Sequence, residues 1–269
     1  IGAYAMVRKQ FGLEIGKFEG IEEILTRIGG TPYFLEGLSR FTCGALDQGS
    51  KPPVISAIAK HQATEMNRFI VNDAMDLIGG AGIVLGPRNL IGHGYMALPI
   101  GITVEGSNIV TRSLIIFGQG LIRCHPYALD EMESLENNDV KGFDKAFWGH
   151  IGMTITNTFR SILISLTRGW LSIPPTFGPT AKYYRRLSWT SASFAFMSDL
   201  ALATLGGELK KKEKLSGYFA DILSWQYMAT CALRKFEADG KPKEDLPLVK
   251  WCCEYSLLQI QRGFDNVYN

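Results

Sequence analysis

Residues 17–47 read KFEGIEEILTRIGGTPYFLEGLSRFTCGALD, with apolar positions at intervals of three and four: Ile21, Ile24, Leu25 and Ile28, then Leu35, Leu38 and Phe41. This is the period of an amphipathic α-helix, not the alternation of a strand. The stretch predicts a helix pair, or one helix strained at Gly29, Gly30 and Pro32, ending in the Gly- and Pro-rich Gln48–Pro53. The same period recurs outward. It predicts helices over 54–78, from near Glu105 to His125, and over 143–171, 183–205, 212–239 and 246–267, with a Gly- and Pro-rich loop region holding one short helix over 82–101. Extended alternation is scarce and no repeat of solenoid length recurs. The fold class is all-α, antiparallel bundles joined by short connections. Asp130–Asp144, acidic and polar, marks the boundary between a helical domain at 1–128 and a helical extension at 129–269.

Composition narrows the function classes. With 269 residues, 46% hydrophobic, the chain can bury a sizeable core, which excludes disorder. Lys and Arg number 28 against 26 Asp and Glu, and the two halves are equally balanced, so no overall field selects nucleic acid. Five cysteines without CxxC spacing point to a reducing compartment and no zinc. The longest stretch without charge, Asn89–Val104, carries Gly and Pro and is too short to span a bilayer. A start at Ile1 inside a helix-like segment suggests a piece of something longer.

Four segments carry candidate chemistry. Arg8-Lys9-Gln10-Phe11-Gly12 offers an Arg beside a Gly turn, either a phosphate clamp or a positively charged helix end. Ala57-Ile58-Ala59-Lys60 is uninformative alone. Asp73-Ala74-Met75-Asp76-Leu77-Ile78-Gly79-Gly80-Ala81-Gly82 runs a helix into a glycine cluster. No strand precedes it, so it is no dinucleotide fingerprint; it is a helix stop or a place where a ligand approaches backbone. Asp73 and Asp76 share a helical face, a spacing open to acid/base work. Ile102-Thr103-Val104-Glu105-Gly106-Ser107-Asn108 sets a carboxylate at a helix mouth, a capping charge or a base. His61, His93, His125 and His150 lie too far apart in sequence to suggest a metal or triad.

Taken in order, these segments resemble the C-terminal helical domain of the acyl-CoA dehydrogenases, with an Arg-x-x-Phe-Gly motif, an Ala-Lys helix, a Gly-Gly-x-Gly turn and a Glu-Gly-Ser helix start. Residues 117–127, FGQGLIRCHPY, with Asn137–Val140 and Asp245–Val249, are similar to the large bacterial members that serve fatty-acid β-oxidation, in which an extra helical region follows the dehydrogenase body. The resemblance implies an FAD-dependent oxidoreductase acting on acyl-CoA. It makes Glu105 the base that removes the α-proton, with Val104 and Gly106 at the substrate. It assigns Arg8, Gln10 and Phe11 to FAD across a subunit boundary, and Asp76, Gly79, Gly80 and Ser107 to the same cofactor. A homodimer or higher homo-oligomer and an electron-transfer acceptor follow as partners, in the bacterial cytoplasm. Many relatives have Gln where Glu19 and Asp76 stand here. The family's β-domain is missing, so the chain alone is expected to be inactive. The basic runs Arg185-Arg186 and Lys210–Lys214 make a membrane surface a candidate partner, peripheral at the inner membrane. Trp148, Trp170, Trp189, Trp225 and Trp251 are expected as core anchors. The alternative is a non-catalytic helical module for oligomerisation or for binding a membrane or partner.

Overall fold

The computed structural model describes residues 1–269. Helices hold 80% of them and strands 1%, so the fold is all-α. In chain order come α1 (Gly2–Val7), a hairpin of β1 (Lys9–Gln10) and β2 (Leu13–Glu14), α2 (Glu19–Asp47), α3 (Pro53–Ile78), α4 (Gly80–Ile83) and α5 (Gly92–Thr103). Then follow α6 (Asn108–Val110), a π-helical stretch over Thr111–Gln119, α7 (Gly120–Cys124), α8 (Ala128–Glu136), α9 (Val140–Leu166), α10 (Ala181–Leu205), α11 (Glu213–Ala238) and α12 (Leu246–Tyr268). Two compact units are interleaved in sequence: residues 1–51, 59–108 and 231–252 form the first, and 52–58, 109–230 and 253–269 the second.

In the first unit α2 is one unbroken helix, which resolves the alternative left open by its glycines and Pro32. Gly29 is exposed, with nothing near it, whereas Gly30 and Gly37 serve packing. A Cβ at Gly30 would lie 2.2 Å from the Trp251 ring, and one at Gly37 would lie 2.9 Å from the Cys231 carbonyl oxygen. Phe34, fully buried, meets Trp251 edge-on at 5.9 Å. A second cluster joins Ala5, Ile15 and Leu77. The Arg27 guanidinium forks onto both Asp73 carboxylate oxygens at 2.8 Å, tying α2 to α3.

The second unit is built on aromatic rings. Phe117 stacks on Phe219 with centroids 4.4 Å apart, and Phe194 meets both edge-on. Around them Ile58, Ile116, Ala201 and Leu209 are buried. The acidic stretch after Ala128 is helical, because Ala128, Met132 and Leu135 recur on one face and Asp130 and Glu131 sit favourably in the first turn of α8. Asp139 then caps α9, accepting a bond from the Gly142 N–H at 3.0 Å.

The expectation for the tryptophans needs correction. Trp189, Trp225 and Trp251 are half-buried, but Trp148 is 68% exposed and Trp170 74% exposed, so neither anchors a core here. No single helix is long and apolar enough to cross a membrane; one bent pair, Gly92–Thr103 with Asn108–Cys124, passes that test by length and composition. All five cysteines are free.

Candidate active site

Every candidate site residue falls in the first unit. Arg8 ends α1 and leads into the hairpin, in which Gln10 pairs with Leu13. Phe11 and Gly12 make the turn with φ of +51° and +81°. Two such residues in succession suit the right-handed twist of paired strands, and glycine takes the second place without strain. Helical periodicity is silent about so short a hairpin. Glu14 braces its far side: a hydrogen bond from Lys17, a backbone N–H and the Lys17 charge hold its carboxyl down at about 2. Arg8 and Gln10 face solvent, and Phe11 is 93% exposed, its ring edge-on to Phe18.

At the end of α3 the two aspartates part company. Asp73 is buried in its ion pair with Arg27, whereas Asp76 is exposed. Gly79, at φ +63°, ends the helix, and a Cβ at Gly79 or Gly80 would meet nothing within 4 Å. The space in front of this turn is open to a ligand. Asn89, buried, organises the loop beyond: its Nδ2 donates to the carbonyls of Gly82 at 2.6 Å and Val84 at 3.2 Å, and its Oδ1 accepts from the Gly92 and Ile91 N–H groups at 2.7 and 3.1 Å. All four bonding positions of the amide are filled. No motif announced it, though an Asn three residues before a helical Gly is a readable capping signal.

Glu105 lies between α5 and α6, with φ +55°, and Gly106 follows at φ +87°. Glu105 and Val104 are exposed, Ser107 is half-buried, and Ile102 and Pro99 are part of α5 or its end. The peptide is held from below. Lys60 Nζ donates to the Gly106 carbonyl oxygen and to Asn108 Oδ1, each at 2.7 Å. Asn108 Nδ2 in turn donates to Thr64 Oγ1 at 2.9 Å and to Glu65 at 2.8 Å. The Ala-Lys helix, uninformative alone in sequence, thus supplies the ammonium that fixes the turn carrying the carboxylate. A cleft of about 260 Å³, lined by Thr64, Asn67, Gly94, Leu98 and Gly101, runs between α3 and α5.

A cluster in the second unit escaped the sequence reading. His125, His150 and Asp199, distant in sequence, bring donor atoms within 4.8 Å of one another. His150 Nδ1 bonds Glu131 at 2.9 Å. His125 Nδ1 accepts the backbone N–H groups of Tyr127 at 3.2 Å and Ala128 at 3.0 Å, so in the neutral ring the proton sits on Nε2, facing Asp199 Oδ1 at 3.3 Å. A metal on Nε2 would require that proton on Nδ1, against two donors. The arrangement suits a cap on α8 tethered to α10.

Residues 1–118 match the family described as acyl-CoA dehydrogenase, C-terminal domain, and residues 122–269 that described as acyl-CoA dehydrogenase, C-terminal, bacterial type. The chain is 22% identical over 284 residues to the protein named probable acyl-CoA dehydrogenase FadE10 in Mycobacterium tuberculosis and in Mycobacterium bovis, covering 99% of this chain and 42% of theirs. An acyl-CoA dehydrogenase complexed with FAD from Bacillus anthracis superimposes with a TM-score of 0.72 at 18% identity, over 97% of this chain and 44% of that one. The last likeness is one of fold. The chain spans less than half the length of these relatives.

Proposed function

This chain belongs to the acyl-CoA dehydrogenase family, and we propose that it is the C-terminal part of an FAD-dependent enzyme that α,β-dehydrogenates acyl-CoA thioesters in fatty-acid β-oxidation. The observation that carries this reading is the braced turn at Glu105. A thioester α-C–H is a weak acid, and a carboxylate removes its proton only when held in place, shielded from water and opposed by donors to the developing enolate oxygen. Lys60 fixes the Gly106 carbonyl from one side. The left-handed pair at 105 and 106 turns the backbone sharply there, so that Glu105 can offer its carboxylate as base and its N–H to the enolate. Gly106 gives the thioester close access to backbone, and Val104 adds apolar surface beside it.

The residues present fit FAD. Arg8, Gln10 and Phe11 stand exposed on the hairpin, suited to a phosphate and a ring of a neighbouring subunit's cofactor, and the open turn at Gly79 and Gly80 admits a ligand against backbone, with Asp76 and Ser107 as further polar contacts. FAD, when bound, accepts the hydride that leaves the β-carbon. Sharing a cofactor across subunits requires at least a homodimer. On this reading residues 129–269 are an extension of the dehydrogenase body, and the enzyme works in the bacterial cytoplasm, passing electrons to a separate acceptor.

The test is Glu105→Gln in the whole protein, followed by anaerobic addition of acyl-CoAs. FAD should stay bound while the rate of flavin bleaching falls on the order of a thousandfold, as for loss of a general base. Bleaching at the native rate would move the role to another carboxylate.

A further inference from the structure

The second unit holds a buried hydroxyl that bonds to nothing in the chain. Ser198, on α10, is 4% exposed, and its Oγ has no hydrogen-bond partner. Helical hydroxyls commonly donate to the carbonyl one turn back, as Thr204 on the same helix does to Leu200 at 2.7 Å. Ser198 does not take that bond. A buried polar group left so is rare in a native fold and calls for a reason.

The reason lies beside it. Ser198 lines a cavity of about 260 Å³ enclosed by α7, α9, α10 and the end of the π-helical stretch, all within this unit. Its inner wall is aromatic: Phe117, 2% exposed, and Phe194 meet edge-on at 5.9 Å, and the Met153 side chain joins them. Phe117 belongs to the π-helical stretch, a geometry that is rare and recurs at functional sites. Cys124, exposed, stands at the mouth.

The lining selects a ligand class. No Lys or Arg contributes to it, so an anion finds no counter-charge. Its one carboxylate, Asp199, already faces His125 Nε2 at 3.3 Å and accepts from Thr154 at 3.4 Å, which leaves a cation little to pair with. What remains unsatisfied is neutral: the Ser198 hydroxyl, with the half-buried Asn157 amide also on the wall. An apolar cavity of about 150 Å³ takes benzene, so this one has room for roughly ten non-hydrogen atoms. Two phenyl rings and a thioether favour a flat aromatic body over a flexible chain.

We propose that this cavity binds a small neutral aryl alcohol, its ring against Phe117, Phe194 and Met153 and its hydroxyl on Ser198. The inference does not rest on the dehydrogenase chemistry, since Glu105 belongs to the other unit.

The probe is 2-phenylethanol, with phenylacetate and 2-phenylethylamine as charged analogues of similar size and propylbenzene as the analogue without a hydroxyl. Saturation-transfer NMR on the whole protein should show saturable binding of the alcohol, roughly tenfold or more tighter than either charged analogue. The bound alcohol should shield Cys124 from N-ethylmaleimide and leave Cys43, exposed in the other unit, at its free rate. Ser198→Ala should weaken the alcohol roughly fivefold and leave propylbenzene unchanged; this variant removes an unsatisfied group and should melt no lower than native. Ala195→Leu, which fills the cavity, should abolish binding of both. Absence of saturable binding, charged analogues held as tightly as the alcohol, equal shielding of Cys43 and Cys124, or an alcohol affinity indifferent to Ser198→Ala would overturn the proposal.

Discussion

Lys60, Thr64, Glu65 and Asn108 in the first unit, and Glu131, His150, His125 and Asp199 in the second, are both polar networks that fasten a turn to neighbouring helices. The first ends on a backbone carbonyl, beside an exposed carboxylate at positive φ. The second runs among half-buried and buried side chains and caps a helix. One therefore positions a group that is itself left open to solvent, whereas the other joins elements to each other. Removing a member of each should separate function from stability.

The largest loss of stability is expected for His125→Ala, which strips two backbone N–H groups of their acceptor and Asp199 of a donor. A decrease of about 3 kcal/mol in urea unfolding would fit, with flavin reduction by acyl-CoA unchanged in the protein that remains folded. Lys60→Met should cost only about 1.5 kcal/mol but slow flavin reduction in the whole protein by roughly tenfold or more, with FAD retained. If Lys60→Met cost as much stability as His125→Ala and left the rate alone, the contrast between the networks would collapse.

Tyr183→Phe comes next, at about 1 kcal/mol. The Tyr183 hydroxyl donates to Glu254 at 2.6 Å. Burial, and then that bond, raise the phenol, while the bond from Tyr183 depresses the Glu254 carboxyl. The sign follows from linkage. Stability from Glu254 is present above the ordinary carboxylate range and is lost as pH falls through its lowered value; stability from Tyr183 is present below the ordinary phenol range and is lost as pH rises through its raised value. Thermal melts of the Phe variant should flatten at both ends of the pH range. Smallest of all is Trp148→Ser, expected within about 0.5 kcal/mol of native because the ring is exposed. A larger effect would return Trp148 to the core.

The same contrast explains what was legible. Helices and their limits could be read because spacing of apolar residues is local: α3, α10, α11 and α12 fall within two residues of the expected bounds. The role of Gly30 and Gly37 was not, since their partners, Trp251 and Cys231, lie some two hundred residues away in the chain. Glu105, Arg8 and the Gly79 turn stood out as motifs. Lys60 acquired meaning only through the carbonyl it holds, and His125 through Asp199. Trp148 and Trp170 were misjudged because hydrophobicity says that a side chain prefers to be covered, not whether this chain covers it.

Glutamate at position 105 adopts a backbone conformation that glycine occupies freely and other L-residues enter at a cost of about 1–2 kcal/mol. Selection for stability alone would place Gly there. Glu105→Gly should therefore melt a few degrees higher and, in the whole protein, abolish the dehydrogenase activity proposed above, a trade between durability and turnover confined to one residue.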